Sequence, residues 1–132
     1  MGQMYRHQKH RGYGAAQKTG YQWAIENGYQ QALLVHGDNQ YSFKHIWNAA
    51  ELTTGVAIGS RLLNETIDNM PLWRMAGNRI LTNVANTLFE TNQSDLHSGA
   101  RIYPLELLKT VSFSDFSDGF LFDQQMLAFC LA

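Results

Sequence analysis

Three short polar segments hold the side chains best suited to chemistry. They cover residues 36–40, residues 59–61 and the region around residue 95, and each follows or adjoins an apolar run. Their carboxylate, imidazole and guanidinium groups could bind a cation, accept a proton or bind phosphate. Taken one at a time, the same segments fit ordinary polar turns and solvated surface cations. A shared site therefore requires a fold that brings the three segments together.

The apolar pattern predicts alternating helices and strands. Helices are predicted over residues 15–27, 43–52, 72–89, 104–109 and 120–131. Strands are predicted over residues 32–35, 56–58 and 100–103. Such alternation is typical of an α/β fold with a mainly parallel sheet and helices on both faces. Ligands bind at the carboxyl ends of the strands in such sheets, so the three polar segments are predicted to share one cleft.

Composition indicates one globular domain and excludes several classes of protein. The 132 residues are 45% apolar and 16% charged, with a formal net charge of -1, so no basic field for nucleic acid is expected. The single cysteine, Cys130, cannot form an internal disulfide, and no apolar run is long enough to span a membrane, which favours a cytoplasmic protein. No nucleotide-hydrolase phosphate loop or esterase nucleophile elbow occurs, and the five histidines show no zinc-like pairing with cysteine.

Ordered sequence blocks along nearly the whole chain resemble family 2 glycosyltransferases of the dolichyl-phosphate mannosyltransferase-like group. The blocks are Gly12-Tyr13-Gly14, Leu33 to Tyr41, Gly59-Ser60-Arg61, Met70 to Arg74, Gly77-Asn78-Arg79, Asp95 to Arg101 and Phe120 to Asp123. The resemblance implies a partial glycosyltransferase A fold, which is Rossmann-like. The first strands and helices of that fold, which hold the nucleoside, have no counterpart here. Residues 1–132 are therefore expected to form a single incomplete catalytic domain, its central and C-terminal part.

The resemblance also implies a reaction. Such enzymes move a sugar from a nucleotide diphosphate donor to an acceptor by metal-assisted inverting transfer. The expected acceptor is a polyprenyl phosphate or a cell-envelope glycan, with peripheral association at the inner face of the cell membrane through a lipid acceptor.

A metal site is implied at the turn after the first predicted strand. The family places carboxylates there to hold Mg²⁺ or Mn²⁺ against the donor diphosphate, and the matching residues here are His36, Asp38 and Gln40. His36 stands where the family has an acidic residue. Magnesium commonly takes one or two carboxylates plus substrate phosphates, so Asp38 with Gln40 could suffice. Manganese would tolerate the His36 imidazole better.

The remaining site residues follow from the same blocks. Asp95 matches the position that accepts a proton from the attacking hydroxyl. Arg101 is the second residue expected to be catalytic. The other expected substrate-binding residues are Arg61, Arg74, Arg79, Ser98, Gly99 and Asp123. A guanidinium fork binds phosphate oxygens bidentately, which suits the arginines. For Asp123, capping at the start of the last helix is a sufficient alternative.

Two other classes of protein compete with the enzyme. A non-catalytic remnant or sugar-binding module is favoured by His36 in place of an acidic ligand and by the absent nucleoside half. A flavodoxin-like regulator domain would ordinarily begin with an apolar strand, and no such strand precedes Ala15.

Overall fold

The computed structural model describes residues 4–37, 42–59, 71–90 and 98–131, without the side chains of residues 74, 89 and 131. The helices are α1 (Tyr13–Glu26), α2 (Phe43–Leu52), α3 (Leu72–Phe89), α4 (Leu105–Thr110) and α5 (Leu121–Leu131). The strands are β1 (Gln31–Val35), β2 (Ala57–Ile58) and β3 (Ala100–Pro104). A 3-10 turn spans Phe113–Asp115. The predicted helices and strands are thus all present, with bounds that differ by no more than two residues.

The described sheet is antiparallel, which corrects the expectation of a mainly parallel one. Its strand order is β1-β3-β2, and β3 pairs in the antiparallel sense with both neighbours. The pairing with β1 runs from Gln31 opposite Pro104 to Val35 opposite Ala100. The physical reason is that β3, the last strand in the chain, inserts between β1 and β2 with the opposite direction. β1 and β2 still point the same way, so their carboxyl ends lie at one edge of the sheet.

β3 contributes to both apolar clusters of the core because its side chains alternate between the two faces of the sheet. Ala100 and Ile102 pack with Ile46 of α2 in the smaller cluster. Tyr103 joins the larger cluster, whose fully buried members include Leu108, Phe122 and Met126 of α4 and α5. Arg101 shares the face of Tyr103. The alternation therefore directs Arg101 toward α1 and α5 rather than toward α2.

Lys18 of α1 holds the segment that leads into α5. Its ammonium group donates hydrogen bonds to the carbonyl oxygens of Ser114 (3.0 Å) and Phe116, and it pairs with the Asp118 carboxylate at 2.8 Å. These contacts fix the start of α5 against the first half of α1. Among the described residues, no helix combines the length and apolarity needed to cross a membrane.

Candidate functional site

The described ends of the three polar segments adjoin at one edge of the sheet. The backbone N–H of His36, just after β1, donates to the Gly99 carbonyl oxygen at 2.9 Å. The backbone N–H of Gly59, just after β2, donates to the Ala100 carbonyl oxygen at 2.8 Å. Antiparallel pairing produces this arrangement because the beginning of β3 meets the ends of β1 and β2. The structure thus brings His36, Gly59 and Ser98–Gly99 together.

Close packing at this edge explains why two of its residues are glycines. A Cβ atom added to Gly99 would lie less than 3.0 Å from the Nδ1 and Cγ atoms of His36. A Cβ atom added to Gly59 would lie 2.9 Å from the Cβ of Ala100. Gly99 therefore makes the room that the His36 ring occupies.

A cluster of polar side chains lies behind this edge, and we call it the polar cluster. It comprises Tyr13 and Gln17 of α1, His36 after β1, Arg101 of β3 and Asp123 in the first turn of α5. The Asp123 carboxylate is its centre. Oδ1 of Asp123 accepts from Arg101 Nη1 at 3.1 Å and from Gln17 Nε2 at 2.8 Å, while Oδ2 accepts from the Tyr13 hydroxyl at 3.0 Å.

The ion pair between Arg101 and Asp123 is buried. The Arg101 side chain is 2% exposed and the Asp123 side chain 16%. Burial alone lowers the pKa of Arg101, but the neighbouring Tyr103 and Asp123 outweigh burial and the pKa is raised. Arg101 is therefore permanently charged and needs its carboxylate partner, since an unpaired buried charge is costly.

The hydrogen bonds of Tyr13 determine which nitrogen of His36 carries a proton. Burial, followed by the Asp123 charge, raises the pKa of Tyr13 above its ordinary value, so the hydroxyl keeps its proton. That proton goes to Asp123 Oδ2. The hydroxyl oxygen also lies 2.5 Å from Nε2 of His36, and it can only accept there, so Nε2 must donate. In the neutral imidazole this leaves the lone pair on Nδ1.

The polar cluster continues into the core through two further tyrosines. Tyr21 donates from its hydroxyl to Gln17 Oε1 at 2.8 Å, which orients the Gln17 amide toward Asp123. Tyr103 lies beside Arg101, and burial raises the pKa of Tyr103 to about 12 although the guanidinium opposes the rise. These partners hold the polar side chains in one arrangement.

Tyr13 and Gln17 were not among the residues expected from the sequence. The signal that could have found Tyr13 is its position between two glycines. Gly12 has a φ of 109°, and a Cβ atom on Gly14 would lie less than 3.0 Å from Phe122 and from the Ser117 carbonyl oxygen. The glycines let the start of α1 approach the segment before α5, and this approach brings the Tyr13 hydroxyl to Asp123.

The other predicted site residues are placed unevenly. Asp38, Gln40, Arg61 and Asp95 lie outside the described residues, and so does the side chain of Arg74 on α3. Arg79 is exposed on α3. The roles of these residues therefore stay predictions from the sequence.

Ser98 and Asp123 have partners that the sequence did not indicate. Ser98 is 1% exposed, and its hydroxyl bonds with the backbone N–H and C=O of Ala100, so it shapes the entry into β3. Asp123 bonds with side chains of α1 and β3, which helix capping does not explain.

A groove of about 580 Å³ lies beside the polar cluster, between α1 and β1. Tyr13, Gln17 and His36 are among its polar lining residues, and Trp23 and Leu33 are among its apolar ones. Among the described residues, no three His, Cys, Asp or Glu side chains lie close enough together to hold a metal ion. Of the predicted metal ligands, His36 is the one that the described part of the chain contains.

The fold and this site define an α/β chain with a buried polar cluster behind the ends of its strands. Among curated proteins, the chain is similar to the polyprenol monophosphomannose synthase of Mycolicibacterium smegmatis, with 29% identity over 111 residues. The similarity covers 78% of this chain and 40% of that synthase, so the chain spans about two fifths of its relative's length. No family model matches the chain, and no solved structure matches it.

Proposed function

We propose that the chain contributes the central and C-terminal part of a glycosyltransferase that transfers a sugar from a nucleoside diphosphate to a polyprenyl phosphate. The observation that carries the proposal is the convergence of His36, Gly59 and Ser98–Gly99 at one edge of the sheet, in front of the polar cluster. The similarity to the mycobacterial synthase supports the choice of a sugar and a polyprenol as substrates.

The proposed cation site consists of Asp38, Gln40 and His36. The hydrogen bonds of the polar cluster support a ligand role for His36, because ligand histidines commonly donate their other ring N–H to a partner that fixes the tautomer. Here Tyr13 is that partner, and Asp123 holds Tyr13. A set containing imidazole suits Mn²⁺ better than Mg²⁺. When bound, the cation would offset the charge of the departing nucleoside diphosphate.

We assign Arg101 a positioning role rather than direct contact with phosphate. Its guanidinium group is buried, and its Nη1 atom lies 3.1 Å from the carboxylate and 3.4 Å from the main-chain carbonyl oxygen of Asp123. Through Asp123 it holds Tyr13 and therefore the ring of His36. Arg61, Arg74 and Arg79 remain the proposed phosphate ligands. We propose that Ser98 and Gly99, which are buried, shape the edge of the sheet next to the substrate rather than bind phosphate. Asp95 is the proposed base where the attacking acceptor oxygen carries a proton.

The reaction is an inverting displacement in this proposal. An acceptor oxygen forms a bond to the anomeric carbon while the bond from that carbon to the nucleoside diphosphate breaks. The leaving group takes the electron pair. Groups arranged in advance to receive this charge typically contribute about 3 kcal/mol each to lowering the barrier.

The test is transfer of labelled mannose from its nucleoside diphosphate to a polyprenyl phosphate by the full chain, with Mn²⁺ or with a chelator. We expect Mn²⁺-dependent product, and about a hundredfold less with Asp38→Ala. Unchanged turnover in Asp38→Ala would remove Asp38 from the mechanism.

A non-catalytic sugar-binding module is the second candidate. It is favoured because His36 stands where the resembling enzymes have an acidic ligand, and because the buried Arg101 is already paired with Asp123. Calorimetric titration of the donor separates the two, since a remnant predicts donor binding that is absent or independent of the cation.

A further inference from the structure

Strand β1 lies at an edge of the described sheet and has backbone groups that β3 does not use. In antiparallel pairing, alternate residues direct both their N–H and their C=O groups toward the same neighbouring strand. The carbonyl oxygen of Gln30 and the N–H of His36 bond to the β3 side. Gln31, Leu33 and Val35 alternate with these residues, so their N–H and C=O groups point away from β3. Within the described part of the chain, β1 pairs with β3 alone, and no turn or loop backbone bonds to these outward groups.

The groove between α1 and β1 runs along this edge. Every residue from 31 to 37 lines it, although successive residues of a strand point to opposite faces of a sheet, so the groove follows the edge of β1 rather than one face. On its α1 side lie Ala16 and Gly20, which are exposed and about one helical turn apart. A Cβ atom added to Gly20 would have no heavy atom within 4 Å. The groove therefore has room for another strand beside β1.

The edge of β1 carries no formal charge. Residues 29–37 contain no Asp, Glu, Lys or Arg. Exposed edge strands are commonly protected against pairing by lysine or proline, and β1 has neither. Two copies of a charged strand would repel each other, whereas two copies of this strand meet without like charges. The composition of β1 thus suits pairing with a second copy of itself.

The spacing of the outward groups also fits a second copy. In an antiparallel pair with Leu33 opposite Leu33 of the second copy, Gln31 lies opposite Val35 and the reverse. Every outward N–H and C=O group of the three residues then has a partner. At the positions between them, Ala32 lies opposite Leu34, which places a small side chain against a large one. Both positions point to the sheet face that α1 covers.

We propose that two copies of the chain associate through antiparallel pairing of their β1 strands, which joins their two sheets into one. The interface is isologous, with a twofold axis at Leu33, and its main-chain hydrogen bonds are those of strand addition to a sheet edge. The two α1 helices lie on the same face of the joined sheet, where Ala16 and Gly20 allow a close approach. The association goes beyond the transfer reaction, because it requires neither donor nor cation.

Sedimentation velocity of the full chain over a wide range of concentrations tests the pairing, and we expect a concentration-dependent dimer. Leu34→Lys should weaken the dimer about a hundredfold, roughly tenfold for each copy, because it places a charge on the paired edge. Gly20→Leu should also weaken it while the monomer stays at least as stable, since leucine favours a helix more than glycine and fills the open space. The matched control is Ile80→Lys on α3, which is 63% exposed and outside the groove, and it should dimerise like the parent.

Amide hydrogen exchange measured by NMR identifies the paired edge directly. In the dimer the N–H groups of Leu33 and Val35 should be protected, and dilution to the monomer should speed their exchange by about tenfold or more. The N–H of Leu34 points to β3 within each copy, so it should stay protected at every concentration. This contrast between neighbouring residues separates edge pairing from any other dimer contact.

Three outcomes would overturn the proposal. They are a chain that stays monomeric at every concentration, a dimer that Leu34→Lys leaves intact or that Ile80→Lys abolishes, and a dimer in which Leu33 and Val35 exchange as fast as in the monomer. Circular dichroism confirms that each variant is folded. Sedimentation requires neither labelled mannose nor Mn²⁺, so failure of the pairing and failure of the proposed reaction are distinguishable.

Discussion

Removal of the Asp123 carboxylate should strongly destabilise the chain. In Asp123→Ala the Arg101 guanidinium, which is 2% exposed in the parent chain, keeps its charge and loses its carboxylate partner. Breaking such a pair typically costs about 3 to 5 kcal/mol, and the 16% exposure of Asp123, which lets water approach, favours the lower end. Tyr13 and Gln17 also lose their acceptor, at roughly 1 kcal/mol each, and these losses overlap. We expect a total of about 4 kcal/mol.

Urea unfolding followed by tryptophan fluorescence measures this cost. A loss of about 4 kcal/mol corresponds to a midpoint lowered by roughly 2 M at typical slopes. The matched control is Glu106→Ala, which removes a surface ion pair with Lys109 (2.7 Å) and should cost less than about 1 kcal/mol. The double variant Arg101→Met, Asp123→Leu should be more stable than Asp123→Ala, because no buried charge remains. If Asp123→Ala cost no more than Glu106→Ala, the inference of a buried, dependent ion pair would be refuted.

Three further predictions concern single residues. Gly99→Ala should cost about 1 to 3 kcal/mol because its methyl group overlaps the His36 ring, whereas Gly20→Ala, in an open stretch of α1, should stabilise by about 0.5 to 1 kcal/mol; thermal melts compare them. Tyr103 has a pKa of about 12 against 10.0 for the free side chain, so the folded state holds its proton longer, and stability should fall between pH 10 and 12 by up to about 3 kcal/mol. Tyr103→Phe should make this fall shallower in urea titrations at stepped pH, and an identical fall would contradict the assignment. Tyr13→Phe should weaken Mn²⁺-dependent donor binding by calorimetry more than it lowers the melting temperature, and an equal affinity would show that the hydroxyl does not orient the ligand.

The elements were predictable because their signals are local. The apolar run in β1 needs only neighbouring residues to be interpreted, and so does Gly28 just after α1, which has a φ of 70°. The direction of β3 was not predictable in this way. Its five residues would suit either sense of pairing, and what decides is that the chain returns between β1 and β2. Sheet direction is a property of the connections, which the pattern of residues does not encode.

The candidate site likewise has one part that the sequence predicted and one part that it did not. The carboxyl ends of β1 and β2 lie at one edge as predicted, because both strands run in the same direction. Ser98 and Gly99 lie at that edge only because β3 is antiparallel, since the start of a parallel strand would lie at the opposite edge. The polar cluster was not predictable from the sequence, because Asp123 contacts partners from α1 and β3 that are distant in sequence. Helix α3 shows a further limit of prediction from sequence, because Ile80, Val84 and Leu88 have the spacing of a side packed on a core but are between 52% and 73% exposed. Periodicity identifies two sides of a helix, but it does not state which side faces solvent.

The charge of the polar cluster bears on the choice between enzyme and remnant. The charges of Arg101 and Asp123 cancel, and Tyr13 keeps its proton. The polar cluster therefore supplies no net negative charge to a cation near His36. With His36 in place of an acidic residue, the proposed cation site has one carboxylate fewer than the family pattern, so it should bind a divalent cation weakly by itself. A nucleoside diphosphate would supply the missing oxygens, so cation and donor should bind together, each raising the affinity for the other by the same factor. A histidine in place of an acid is thus compatible with an enzyme whose cation arrives with the donor, and this coupling is the property that a remnant would lack.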